Sequence, residues 1–264
     1  MKTGKNKTNF ILPLIDTSQT LRLMKKTLAV NAPNEGNLTR IFERKISKLL
    51  NTKYVVATTS GTIAMFLALK ALKINRGDEV LVPNLTFPAT INAVNLAGAK
   101  PILVDINKET LLFDLKKLRK KINKRTKAIL TVHISGRGSN IIELKKIAKK
   151  NKLKLIEDAA EAFMSKINNK SLGTFGDIGC FSFSPPKIFT TGQGGVVVTN
   201  SLKLYKKILQ LKNQGRVGKT DGGEDTYASI GYNFKFTNLQ SALGLSQLNN
   251  IKWRKKKLIE NYKF

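Results

Sequence analysis

Between residues 54 and 199, short β-branched and aliphatic runs alternate with segments of helical period, and no other feature restricts the fold as much. The runs at 54–57, 79–82, 101–104, 128–132, 153–156, 178–183 and 196–199 read as strands. The segments at 38–50, 63–73, 89–96, 115–122, 141–150 and 201–211 read as helices. Strands separated by helices are joined by crossovers, so they run mostly parallel, and a parallel sheet is covered on both faces. The expected fold class is α/β, with a mostly parallel central sheet and helices on both sides.

Three parts are expected along the chain. Residues 1–35 lack a clear period and read as an N-terminal arm. Residues 36–212 form the large α/β domain. Residues 213–264 begin with a glycine-bearing loop (Gly215, Gly218, Gly222, Gly223) and continue into a helical pattern from Asn238. That pattern meets no stop signal before Phe264, so it reads as the start of a small C-terminal domain that is largely missing from this chain.

Composition excludes several functions. With 47 Lys and Arg against 17 Asp and Glu, the formal charge is +30. The basic residues are spread over almost every segment, lysine far outnumbers arginine, and aromatics are not interleaved with them. That distribution fits an AT-rich coding bias, and nucleic-acid binding is not expected. Cys180 is the only cysteine and His133 the only histidine, so neither an intrachain disulfide nor a metal site built on several of them is possible. No run approaches the roughly 20 apolar residues of a membrane helix, and no secretory leader is recognisable, so a cytoplasmic location is expected.

One stretch carries chemistry: Cys180-Phe-Ser-Phe-Ser-Pro-Pro-Lys187-Ile-Phe-Thr-Thr-Gly-Gln-Gly-Gly195. Pro185 and Pro186 forbid helix and fix Lys187 on a rigid connection between two strands. A lysine held there suits Schiff-base chemistry, which needs a desolvated amine. A solvated surface lysine is the plainer reading of the same residue. Ligands of open α/β sheets bind beyond the carboxyl ends of the strands, and three further groups fall there. Thr59-Ser60-Gly61-Thr62 opens a helix and suits a phosphate, although Ser60 would equally serve as a helix cap. Asp158 can balance a cationic ring nitrogen, or cap the turn that follows it. Phe87 can stack on a planar ring, or fill core.

Their order and spacing resemble the DegT/DnrJ/StrS-type family of nucleotide-sugar aminotransferases, fold-type-I pyridoxal-phosphate enzymes, from about Asn34 to the end. The resemblance is carried by Ala57-Thr-Thr-Ser-Gly-Thr62, Gly77-Asp-Glu-Val-Leu-Val-Pro83, Leu85-Thr-Phe-Pro-Ala-Thr90 and Ile156-Glu-Asp-Ala-Ala-Glu161. It continues through Gly173-Thr-Phe-Gly-Asp-Ile-Gly-Cys-Phe-Ser-Phe183, the Lys187 loop and Gly231-Tyr-Asn-Phe-Lys-Phe-Thr-Asn-Leu-Gln240. It implies that Lys187 bonds to pyridoxal 5'-phosphate and then moves the substrate proton. It implies further that Asp158 pairs with the ring nitrogen, Gly61, Thr62 and Ser182 hold the phosphate, and Phe87 stacks on the ring. Glu161 would stand near the phenolic oxygen, as in perosamine-synthase-like branches. Asn233 would reach the phosphate of a partner subunit, which implies a homodimer with shared sites. His133 reads as a structural or supporting residue. Pro185-Pro186, Phe163-Met164 and Lys235 depart from the family pattern, but none removes the lysine.

The implied activity is transamination of a nucleotide-linked keto-sugar, a 4-keto-6-deoxy sugar, with glutamate as donor, in amino-sugar and glycan biosynthesis. The rival reading is a catalytically inactive or regulatory member of the same fold.

Overall fold

The computed structural model describes residues 13–138, 140–218 and 226–263. Its elements, in chain order, begin with α1 (Thr17–Ala29), α2 (Asn37–Leu50), β1 (Tyr54–Thr58), α3 (Gly61–Ala71), β2 (Glu79–Pro83) and α4 (Pro88–Leu96). Next come β3 (Lys100–Val104), α5 (Leu115–Lys121), β4 (Thr126–Val132), α6 (Ile141–Lys150) and β5 (Lys154–Asp158). A ribbon of β6 (Lys166–Ile167) and β7 (Lys170–Ser171) precedes β8 (Ile178–Ser182), β9 (Gly195–Thr199) and α7 (Leu202–Lys212). A second ribbon, β10 (Arg216–Val217) with β11 (Thr226–Tyr227), leads to α8 (Asn238–Leu248) and α9 (Ile251–Lys263).

The central sheet has seven strands in the order β1-β9-β8-β5-β4-β2-β3. Only β9 runs against the others; its antiparallel pairing with both β8 and β1 makes the loop between β8 and β9 a return rather than a crossover. The alternation expected from sequence is therefore the observed one, and the mostly parallel α/β sheet is present.

Side-chain alternation divides the core in two. Val55, Leu81, Ile129, Leu155 and Val198 face a layer containing α2, α5 and α6. Val56, Val80, Leu130, Ile156 and Val197 face the apolar helix α3 together with α4 and α7. Because side chains alternate along a strand, one register serves both layers at once, and a slip of one residue would reverse them.

Two stretches differ from the sequence reading. The arm at 1–35 contains the helix α1, begun by Asp16, whose side chain accepts from the Gln19 N–H at 3.0 Å. Its buried positions are Thr20 and Thr27 rather than aliphatic residues, which is why no apolar period was visible. The Thr20 hydroxyl meets that of Ser246 on α8 at 2.7 Å. Second, the helical pattern from Asn238 is interrupted at Asn249 and Asn250 to give α8 and α9. The C-terminal helices pack back on the body, with Leu245, Leu248 and Ile251 in the same core as α2 and Phe236.

Candidate active site

The carboxyl ends of β1, β5 and β8 and the start of β9 meet at one edge of the sheet. Thr58 pairs with Gly195, Ser182 with Gly195, and Asp158 with Cys180. Asp158 and Ser182 extend the register positions of Ile156 and Cys180, which place them on the α3/α4 face. Sequence-distant groups thus converge because parallel strands end together.

At the first of these ends, Ser60 is the N-cap of α3 and its hydroxyl accepts from the Ile63 N–H at 3.2 Å. The hydroxyl is therefore used within the chain. Gly61 and Thr62, as the first helical residues, have N–H groups with no acceptor inside the helix. A Cβ added at Gly61 would lie 2.8 Å from that of Ser182, so only glycine lets the helix start sit against β8. Helix start and Ser182 are one surface.

Asp158 is buried at the end of β5. Its carboxylate accepts from the Thr90 hydroxyl at 2.8 Å and from the Ala160 N–H at 3.1 Å. Burial pushes its pKa upward, while Thr90, Ala160, His133 and Lys187 pull it back down. A carboxylate whose charge is opposed by burial is one that a neighbouring cation stabilises. Thr90 belongs to α4, whose N-cap is Phe87. That phenyl ring is 77% exposed, so core filling is not its role in this chain.

Lys187 closes a turn, with its N–H on the Ser184 carbonyl at 3.1 Å and the two prolines between them. Its amine lies 3.4 Å from Glu161, whose other oxygen accepts from the Ser135 N–H at 2.7 Å. Lys187, Glu161 and Ser182 open into a cleft of about 1230 Å³ that Trp253, Arg254 and Tyr262 of α9 wall on another side. Asn233 is not brought to this cleft; it is exposed and bridges to Asn213.

These residues fit pyridoxal phosphate. A buried carboxylate short of a cation, an open helix start beside a serine, an exposed aromatic ring and a partly buried lysine match the ring nitrogen, phosphate, ring face and aldehyde. A model of the DegT/DnrJ/EryC1/StrS aminotransferase family matches residues 15–264. The chain belongs to that family.

This DegT/DnrJ/EryC1/StrS-family chain is 42% identical over 233 residues to the GDP-perosamine synthase of Escherichia coli O157:H7, covering 87% of the chain and 63% of that protein. It is 37% identical over 238 residues to the 3-oxo-glucose-6-phosphate:glutamate aminotransferase of Bacillus subtilis (strain 168), covering 88% and 53%. Its structure matches the PLP-form of Spr1654 from Streptococcus pneumoniae with a TM-score of 0.90 at 27% identity, over 98% of this chain and 71% of that one. The chain spans less than two thirds of the length of either curated relative.

Two supporting residues had weak signals in the sequence. Thr90 is the third residue of α4, two after Pro88, an ordinary place for threonine. Glu157, beside Asp158 in the sequence, is fully buried and accepts from the N–H groups of Gly173, Phe175 and Gly176 at 2.8, 2.6 and 2.6 Å. His133, also fully buried, meets the same carboxylate through Nε2 at 2.8 Å, while its backbone N–H bonds the Asp158 carbonyl. Glu157 therefore ties the 173–176 turn and His133 to the strand that carries Asp158. Of the departures from the family pattern, Phe163 packs edge-on against Phe181, Phe183 and Phe189 beneath the lysine loop. Among the described residues no cluster of three or more His, Cys, Asp or Glu could hold a metal, and no helix is long and apolar enough to cross a membrane.

Proposed function

We propose that this chain carries the cofactor site of a pyridoxal-phosphate-dependent aminotransferase that acts on a nucleotide-linked keto-sugar. The observation that supports it most is the Lys187 amine 3.4 Å from Glu161 in an open cleft, with the buried carboxylate of Asp158 at the end of an adjacent strand. When bound, pyridoxal phosphate supplies a conjugated ring that takes up the electron pair left when the substrate carbon loses its proton. Asp158 would hold the ring nitrogen in its cationic form. The N–H groups of Gly61 and Thr62, with the Ser182 hydroxyl, would hold the phosphate, and Phe87 would cover one ring face. Lys187 would accept and return the proton, with Glu161 orienting its amine.

The finer reading is a 4-keto-6-deoxy sugar, glutamate as donor, a cytoplasmic homodimer, and Asn233 reaching the partner's phosphate. Glu161 and the perosamine synthase among the relatives support the sugar; a relative named for glutamate supports the donor. The protein supplied with the cofactor should be yellow, and Lys187→Ala should lose the visible band together with amino transfer from glutamate to nucleotide-4-keto-sugars. A colourless wild-type protein would overturn the proposal. A coloured protein that aminates none of these sugars would leave a cofactor-binding member of the fold without the activity.

A further inference from the structure

The loop from Phe183 to Gly194 must hold a reactive lysine in place, yet its own bonds cover only part of it. Phe183 N–H bonds the Gly194 carbonyl at 2.8 Å, and Thr191 N–H bonds the Phe183 carbonyl at 3.0 Å. Pro185 and Pro186 contribute no donor at all. From beneath, Phe189 anchors the loop against Phe183 and Phe163.

Four further main-chain groups of the loop are met from α8 and α9. Gln240 donates through Nε2 to the Gln193 carbonyl at 2.9 Å. Gln247, fully buried, accepts from the Thr190 N–H at 3.3 Å and donates to the Thr190 carbonyl. Arg254 donates to the Ile188 carbonyl at 3.2 Å, and its second amine donates to the Leu14 carbonyl. Gln240 and Gln247 stand at i and i+7 on α8, which places them on one face of that helix, and Arg254 follows on α9, beyond the break at Asn249 and Asn250. As the chain passes along α8 and α9 from 240 to 254, the loop is met in the order 193, 190, 188, so the two segments run antiparallel.

We infer that Gln240, Gln247 and Arg254 form a rail that positions Lys187 by fixing the backbone of its return loop, an inference that rests on the role proposed for Lys187. They bond only main-chain atoms of the loop. They are positioning residues, and they act on the amine through Ile188 and Thr190.

The test begins with cofactor-free protein and hydrogen exchange read by mass spectrometry. Gln247→Leu keeps the volume and removes both bonds; peptides covering 183–194 should exchange about ten-fold faster while those of β4 and β5 stay as in wild type. In Gln247→Glu a neutral carboxyl can both donate and accept, so protection should return at acid pH and disappear as the carboxyl ionises. Gln240→Glu keeps the acceptor that caps α8 and loses only the donor to Gln193, so it repeats the test should Gln247→Leu fail to fold. In the protein supplied with pyridoxal phosphate, the pH midpoint of the visible band should shift in Gln247→Leu, a change that mere loss of packing would not produce. Wild-type exchange of the loop in these variants, or an equal rise in β4 and β5, would overturn the inference. Absence of any visible band in the wild type would overturn the cofactor assignment and leave the exchange result standing.

Discussion

Asp158 illustrates a conflict between stability and site chemistry. Its pKa is raised in the fold, chiefly by burial. A carboxyl raised in this way contributes most to stability below the ordinary carboxylate range and loses that contribution as pH rises through its elevated value. Wherever that carboxyl is ionised, the cofactor-free protein carries a buried charge that opposes folding. Asp158→Asn keeps an acceptor for the Ala160 N–H and removes the charge. It should stabilise the cofactor-free protein by about 1 kcal/mol above the raised pKa, with the gain shrinking as pH falls through it, while weakening cofactor binding. Thermal melts across a pH series, beside a titration with pyridoxal phosphate, measure both effects; a variant less stable than wild type above that pKa would refute the account.

For the helices, the decisive events are at their ends. Ser60 had two readings, cap or phosphate ligand, and the hydroxyl is occupied by the Ile63 N–H. Ser60→Ala should cost about 1 kcal/mol in chemical denaturation and leave pyridoxal-phosphate affinity largely unchanged, because the phosphate would rest on backbone N–H groups and Ser182. A large loss of affinity with unchanged stability would reverse that assignment. The helix α1 escaped detection because it buries threonine against a serine of α8, and hydroxyl pairs leave no hydrophobic period. The break between α8 and α9 was equally hidden, since asparagine tolerates helix and turn alike. By contrast α3, apolar on nearly every side, and the strands with their aliphatic runs were plain from the residues alone.

Across the molecule, one buried charge cluster joins segments far apart in the chain. β1 forms an outer strand of the sheet, and Ala57 turns both backbone groups away from β9. Its N–H is accepted by Glu43 on α2 at 2.8 Å, and its carbonyl accepts from Lys212 at the end of α7 at 3.1 Å. Lys212 also pairs with Glu35 at 2.7 Å. Burial raises the Glu43 pKa, and the Lys212 ammonium is the foremost influence lowering it. Removing that cation by Lys212→Met should destabilise the fold by about 3 kcal/mol or more. The raised carboxyl costs nothing once protonated, so the deficit should narrow as pH falls. Denaturation midpoints at acid and neutral pH would check this; a deficit independent of pH would show that Lys212 acts through packing.

Hydrophobic period and local chemistry were enough for the α/β class, the sheet's parallel character, and the presence of Lys187, Asp158, Phe87 and Gly61 near strand ends, while Ser182 entered only through the family resemblance. Those signals are local, because side-chain alternation and turn residues act over a few positions. The contacts that make the site came only with tertiary structure. Thr90 on Asp158, His133 on Glu157 and the pairing of Gln240, Gln247 and Arg254 with the lysine loop join residues 24 to 68 positions apart. A hydrogen bond over that separation has no period to reveal it. Lys187 was visible as a residue on a rigid turn; what holds that turn in place is decided where α8 and α9 come back to meet it.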